Sequence, residues 1–165
     1  MTLYLIRHAH AGQSNPDDPD DHLRPLSRKG QGQADTLARA CPTLDLRFDR
    51  LFSSPYIRAA ETAAPLIAHV RSGRLEPLTE LTGDDYAQLW ETLRRTLKRG
   101  DAIGLVGHEP YLGGLVSYLL CGDAARIKIQ FRKGMMVRLG GTWRPGRMQL
   151  HSALTPTLLK QLAAS

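Results

Sequence analysis

An arginine followed directly by a histidine, Arg7-His8, closes a short apolar run at the start of the chain. An imidazole beside a permanent cation suits two tasks: holding an anion, or attacking one while the cation steadies its charge. Two more residues extend the pattern. Arg58 lies just past Ser54-Pro55, and His108 follows the apolar run 102–106. A guanidinium presents a planar fork of donors that matches phosphate oxygens. Several cations around a histidine also lower its pKa, which keeps the ring neutral and nucleophilic near pH 7. Singly, each piece has a plainer reading: Ser54-Pro55 starts a helix, and His108 caps one ahead of Glu109-Pro110. It is their joint placement after three separate strands that points to one phosphate-binding edge.

The elements that must position these residues follow from periodicity. Residues 2–7 read as a buried strand, short and nearly all apolar. Residues 12–25 form a polar loop carrying Asp17, Asp18, Asp20 and Asp21, long enough to suggest a functional role. Ser27 can cap a helix running to about Ala40, with Ala34, Leu37 and Ala38 inward. A strand at 50–53 leads into Ser54 as N-cap and Pro55 as the first residue of a helix reaching about Val70. A third strand at 75–78 precedes a turn at Gly83-Asp84. Tyr86, Leu89, Leu93 and Leu97 then repeat at helical spacing through Lys98, a core stripe. Residues 102–106 form a fourth strand and 110–120 a helix whose free N–H groups and dipole would face the site. Segments 135–139 and 147–151 flank Gly140-Gly141 and Pro145-Gly146 as an antiparallel hairpin, and 155–164 closes the chain as a helix. Trp90, Trp143 and the Met135-Met136 pair read as core or hairpin packing.

Strand–helix alternation predicts an α/β fold, a three-layer sandwich with a mostly parallel central sheet, helices on both faces and an antiparallel strand near the C-terminus. The length of 165 residues fits a single domain over 1–165. Ligands in such sheets bind beyond the carboxyl ends of the strands. That is where Arg7, His8 and His108 fall, with Arg58 leaning back toward them from its helix.

Composition narrows the function classes. The chain is 42% hydrophobic and 23% charged with net charge +6, ordinary for a globular protein with a basic surface. The basic residues are scattered, and aromatics at 6% do not interleave with them as a base-stacking platform needs, so nucleic acid is not expected as a partner. No apolar run approaches a membrane span, and the first one ends at Arg7, too short for a signal-peptide core. Cys41 and Cys121 lack metal or redox spacing and read as two buried free thiols. A soluble, cytoplasmic protein is expected.

The motifs also resemble a known family. Leu5-Ile6-Arg7-His8-Ala9 is similar to the Arg-His-Gly or Arg-His-Ala motif of the histidine phosphatase superfamily, also called phosphoglycerate-mutase-like. The run from Ser53 to Thr62 (SSPYIRAAET) resembles that family's S-S-P-x-x-R-A-x-[QE]-T helix start, and Val106-Gly107-His108 its third motif. The three occur in family order. Within the family the chain looks most like the compact SixA-type phosphohistidine phosphatases, on Arg7-His8-Ala9-His10-Ala11, Leu23-Arg24-Pro25-Leu26-Ser27 with Gly30, and Gly107-His108-Glu109-Pro110. The resemblance implies a metal-independent phosphatase with His8 as nucleophile. Arg7, Arg58 and His108 would hold the phosphoryl oxygens, Arg24 would add a phosphate or substrate contact, and no cofactor would be needed. The substrate would be a phosphorylated protein of histidine-containing phosphotransfer type, or alternatively a small phosphomonoester. His10 stands where relatives often carry an acidic residue. For a general acid, Glu80 is the nearest candidate, with Asp84 and Asp85 behind it, and a capping or surface role for Glu80 is equally open.

Two other classes compete. His8-x-His10 resembles paired ligands of metal-dependent hydrolases, but of His22, His69, His108 and His151 only His108 sits at a strand end. A phospho-ligand binding module without catalysis is the other.

Overall fold

Six strands form one sheet in the order β3-β2-β4-β1-β5-β6. They are β1 (Thr2–Arg7), β2 (Arg50–Ser53), β3 (Leu75–Pro77), β4 (Ala102–Gly107), β5 (Met136–Gly141) and β6 (Met148–Leu154). The first four run parallel, while β5 pairs antiparallel with β1, and β6 antiparallel with β5. This is a computed structural model, and it describes residues 1–13, 17 and 21–164. Asp18 and Asp20 of the expected acidic loop lie outside the described residues.

Alternation along β1 divides the core into two layers. Leu3 and Leu5 face one side with Phe52, Ile103, Leu105, Val137 and Leu139, covered by α3 (Tyr86–Arg94) and α4 (Tyr111–Cys121). Tyr4 and Ile6 face the other with Leu51, Val106 and Met136, covered by α1 (Arg28–Thr43), α2 (Ile57–Ala63) and α5 (Pro156–Leu162). The chain is therefore the expected α/β sandwich. Met135 and Met136 fall in different layers, and Trp90 stacks on Trp143 with ring centroids 5.6 Å apart.

Several boundaries differ from the expectation, each for a local reason. α2 begins at Ile57 with Tyr56 as its cap, and the Ser54 hydroxyl ahead of it meets both Tyr56 N and His108 Nε2. It ends at Ala63, and Pro65 turns the chain into a 3-10 segment, Ala64–His69. Proline lacks the N–H that an α-helix would need there and crowds the preceding turn. α3 stops at Arg94, and Asp85 caps it by accepting from Ala87 N at 2.8 Å and Gln88 N at 2.9 Å. Cys41 is buried as expected, but Cys121 is exposed, because it ends α4 where Gly122 (φ 77°) turns the chain away at the surface.

One close approach fixes the entry of α1. Ser27 caps it by accepting from Gly30 N at 3.2 Å, while Ser27 N donates to His10 O at 3.0 Å. A Cβ on Gly30 would stand 2.0 Å from that same His10 carbonyl. Gly32, one turn position on, faces open space. Gly32→Ala should therefore stabilise the protein by about 0.4–1 kcal/mol, whereas Gly30→Ala should destabilise it. Urea unfolding of the two variants checks this pairing, and equal shifts would contradict the packing described.

Candidate functional site

Strand register builds the site. Arg7 pairs with Gly107 across β1 and β4, and Ser53 pairs with Val106 across β2 and β4. The residues that follow, His8, His108 and Ser54, therefore emerge at one level of the sheet edge. Two backbone bonds pin them there: His8 N donates to Gly107 O at 2.9 Å, and Ser54 N to Val106 O at 2.9 Å. The ring centroids of His8 and His108 lie 5.0 Å apart.

His8 is 5% exposed, and its Nδ1 lies 2.7 Å from the carbonyl of Ala9. A carbonyl can only accept, so Nδ1 carries the proton and Nε2 keeps its lone pair. Burial pushes the His8 pKa down to about 4, and Arg58, Arg7 and Lys133 push the same way against the Ala9 bond. The neighbouring cations thus act as the sequence implied, but dehydration of the ring is the larger cause. His108 falls further, to about 3, through burial, then His8, Arg58, Arg7 and Arg24. Its Nε2 lies 2.5 Å from Ser54 Oγ, which also accepts from Tyr56 N at 3.4 Å. Among the described residues Nε2 is the acceptor within reach of the buried Ser54 O–H, so Ser54 donates a hydrogen bond to it and the ring proton sits on Nδ1. That Nδ1 is buried with no hydrogen-bond partner among the described residues.

Cations surround the pair. Arg7 donates from Nη1 to Phe131 O at 2.5 Å. Arg58, 6% exposed, lies over the Tyr56 ring and donates from Nη1 to Asp21 O at 2.5 Å. The Asp21 carboxylate reaches into this cluster, its Oδ2 2.6 Å from Arg24 Nη2 and 3.2 Å from Arg58 Nη1. Lys133 belongs here too: burial and then Arg7, Arg24 and Arg58 lower its pKa. It is held by Gly134, whose N–H is shared between the carbonyls of Arg7 at 3.1 Å and His8 at 3.2 Å. Gly134 has φ 76°, a conformation that favours glycine.

A supporting layer comes from the residues after Arg58. Thr62 Oγ1 accepts from Ala9 N at 2.9 Å and donates to Arg58 O at 2.6 Å, tying the strand to α2. Glu61 Oε2 accepts from Leu26 N at 2.6 Å, holding the segment that carries Arg24. His10 turns away to Ser27 Oγ at 2.8 Å. Among the described residues, no group of three or more His, Cys, Asp or Glu side chains is placed to hold a metal ion.

A cleft of about 600 Å³ adjoins the cations, lined by Arg58, His108, Tyr56, Tyr86, Glu109 and Tyr111 among others. Its rim at Gly83, Asp84, Pro110, Ile127 and Lys128 is exposed. Glu80 is not one of the described lining residues. It lies in the 3-10 segment Thr79–Thr82 and accepts from Thr92 Oγ1 at 2.6 Å. The carboxylate that reaches the cleft next to His108 is Glu109 instead. Sequence reasoning missed Ser54, Glu109, Lys133 and Asp21 as site groups. Ser54 carried a signal, the serine pair before Pro55; the others had none beyond residue type. Chemically, the site can seat a tetrahedral anion and present it to an unprotonated imidazole nitrogen.

Comparison with known proteins follows the same lines. Residues 3–102 match the profile of the histidine phosphatase superfamily (branch 1). An uncharacterised protein of Picosynechococcus sp. is 32% identical over 115 residues, covering 68% of this chain and 69% of its own. The protein histidine phosphatase SixA complexed with tungstate superposes with a TM-score of 0.82 at 21% identity, covering 97% of this chain and 100% of that one. A putative alpha-ribazole-5'-P phosphatase from Escherichia coli gives 0.67 at 16% identity, covering 94% and 98%. The two structures carry the fold.

Both rings stay neutral in the folded chain to about pH 4 for His8 and about pH 3 for His108, against 6.5 for ordinary histidine. Below pH 6.5 the unfolded chain therefore binds protons that the folded chain refuses. Stability should fall as pH falls toward 4, by up to about 1.4 kcal/mol per pH unit for each histidine. Urea unfolding between neutral pH and about pH 4.5 measures the slope. Replacing His8 and His108 with Asn should flatten it, and an unchanged slope would contradict two buried neutral rings.

Proposed function

Because this chain belongs to the histidine phosphatase superfamily (branch 1), we propose that it is a phosphatase working through a covalent phosphohistidine at His8, with phosphohistidine on a protein as substrate. The observation that carries the reading is the state of His8: a buried neutral ring, its proton committed to Ala9 O, its Nε2 lone pair left among Arg7, Arg58 and Lys133. In the first step Nε2 attacks phosphorus, and the bond from phosphorus to the substrate's leaving atom breaks with its electrons going to that atom. In the second, water attacks the phosphorus on His8, which leaves as neutral imidazole once more, and phosphate is released. No metal or cofactor takes part.

Arg7 and Arg58 hold the equatorial oxygens and offset charge that builds during transfer. His108 donates to the phosphoryl group from the Nδ1–H that Ser54 fixes by bonding Nε2. Arg24 and Lys133 add positive charge at the rim of the cage. The exposed margin of the cleft favours a substrate presented on another protein's surface, and the SixA likeness points the same way. Small phosphomonoesters are the second reading, favoured by the volume of the cleft, which lies in the range of small-molecule sites.

Incubation with a labelled phospho-substrate should trap an acid-labile, base-stable phosphoenzyme that vanishes in His8→Ala. Label persisting in that variant would refute the nucleophile, and wild-type protein that binds phosphate but never labels or hydrolyses would mark a binding module. Arg58→Ala should lower kcat by about 10²–10³. Turnover of a phosphorylated histidine-containing domain should exceed that of sugar phosphates, and the reverse order would favour the second reading.

A further inference from the structure

Glu109 stands in the cleft with no task in the steps above. It follows His108 directly and turns its carboxylate back over the first turn of α4, where Gly113 N–H donates to it. Glycine makes room for this: a Cβ at 113 would stand 3.0 Å from Oε2 and 3.3 Å from Oε1. Oε1 is nevertheless buried and has no hydrogen-bond partner among the described residues. The carboxylate therefore keeps acceptor capacity that the described residues do not use, and it lines the cleft, where a donor from outside the chain can meet it after a small side-chain rotation. The surrounding walls are largely aromatic, formed by Tyr56 and by Tyr86 and Tyr111, whose rings pack on each other 4.8 Å apart as one face, with Pro110 at the margin. Such a slot suits a planar ring that carries an N–H.

We propose that Glu109 recognises the leaving imidazole of a phosphohistidine substrate. The ring lies in the cleft with its phosphorylated nitrogen toward His8, and the N–H of its other nitrogen donates to the Glu109 carboxylate. This inference rests on the phosphohistidine reading above. Its chemical content concerns the leaving group. As His8 Nε2 bonds to phosphorus, the substrate's P–N bond breaks and the electron pair stays on the substrate nitrogen. A ring that holds a proton on its far nitrogen departs as neutral imidazole; without that proton it would depart as imidazolate, a far poorer leaving group. The proton is on the far nitrogen before and after the cleavage, so none is gained or lost. A carboxylate facing that N–H stabilises the cationic ring and holds the proton there to higher pH. Arg7 from β1 and Tyr86 from α3 are the titratable groups whose charges couple to Glu109, with Lys128 and Asp84 at the cleft rim. Burial raises the Glu109 pKa and Arg7 draws it back.

The test compares leaving groups. Wild type and Glu109→Gln are assayed on phosphoimidazole, on a phosphohistidine-bearing protein, and on 4-nitrophenyl phosphate, whose phenolate leaves without help, from about pH 5 to 9. The ratio of kcat on the two phosphoramidates to kcat on the aryl ester should fall roughly tenfold or more in Glu109→Gln. The alkaline limb for phosphoimidazole should also move to lower pH. Gly113→Ala, which displaces the same carboxylate, should shift the ratio in the same direction. Equal losses on all substrates, or an unmoved alkaline limb, would mean a structural role and overturn the proposal. Wild type that prefers phosphohistidine, with a variant that matches it, overturns the role of Glu109 alone. Wild type that prefers sugar phosphates overturns the phosphohistidine reading and this inference with it.

Discussion

Everything at the site depends on the parallel register of β2, β4 and β1. With Arg7 opposite Gly107 and Ser53 opposite Val106, the chain after each strand leaves the sheet at one height. A slip of one residue in either pairing would turn each strand's side chains to the opposite face. His8 or His108 would then be carried out of the cage. The register is held by layers that tolerate no such slip, because Leu3, Leu5, Tyr4 and Ile6 are all buried, alternately on two faces. At Gly104 the sheet is packed so closely that a Cβ would meet Leu51 at 2.5 Å. Site geometry and hydrophobic packing are thus one constraint.

The second organising fact is electrostatic. A neutral histidine is stable beside several guanidinium groups because it adds no charge to them, and burial removes the water that would help it protonate. Hydrogen bonds then decide which nitrogen is available. Both rings carry the proton on Nδ1, but Ala9 O occupies that N–H on His8 and leaves the Nε2 lone pair, whereas Ser54 Oγ occupies Nε2 of His108 and leaves its N–H. A backbone carbonyl and a serine hydroxyl therefore give two chemically identical side chains different capacities.

The fold and the position of the site were legible from the sequence because both depend on local pattern. Short apolar runs ending in Arg7-His8 and Gly107-His108 announce strand ends, and strand ends in such a sheet share an edge. What escaped depends on long-range partnership. Lys133 reaches the site because Gly134 bonds the carbonyls of Arg7 and His8 at the end of β1, and Asp21 because its carboxylate meets Arg58, contacts that no periodicity encodes. Ser54 was read by its commonest role, a helix cap, and Glu109 only as part of the segment Gly107-His108-Glu109-Pro110, with no role of its own. Glu80, read as the nearest acid along the chain, is bonded by Thr92, while Glu109, the residue after His108, lines the cleft. Cys121 was misjudged because helix ends, unlike helix faces, reach solvent.

Asp21 gives the cage an occupant of its own. With one carboxylate oxygen between Arg24 and Arg58, the site behaves as an ion exchanger rather than an empty receptor. On the proposed reading, an incoming phosphoryl group would trade places with a resident counterion, so its affinity would measure a difference between two anions. The charge transferred in that trade is smaller than the number of arginines implies, which weakens the dependence of binding on ionic strength. Selectivity would follow from the same arithmetic on the proposed reading: a singly charged oxyanion would gain little by the exchange, whereas a dianion offering oxygens to Arg7, Arg58 and His108 at once would gain more.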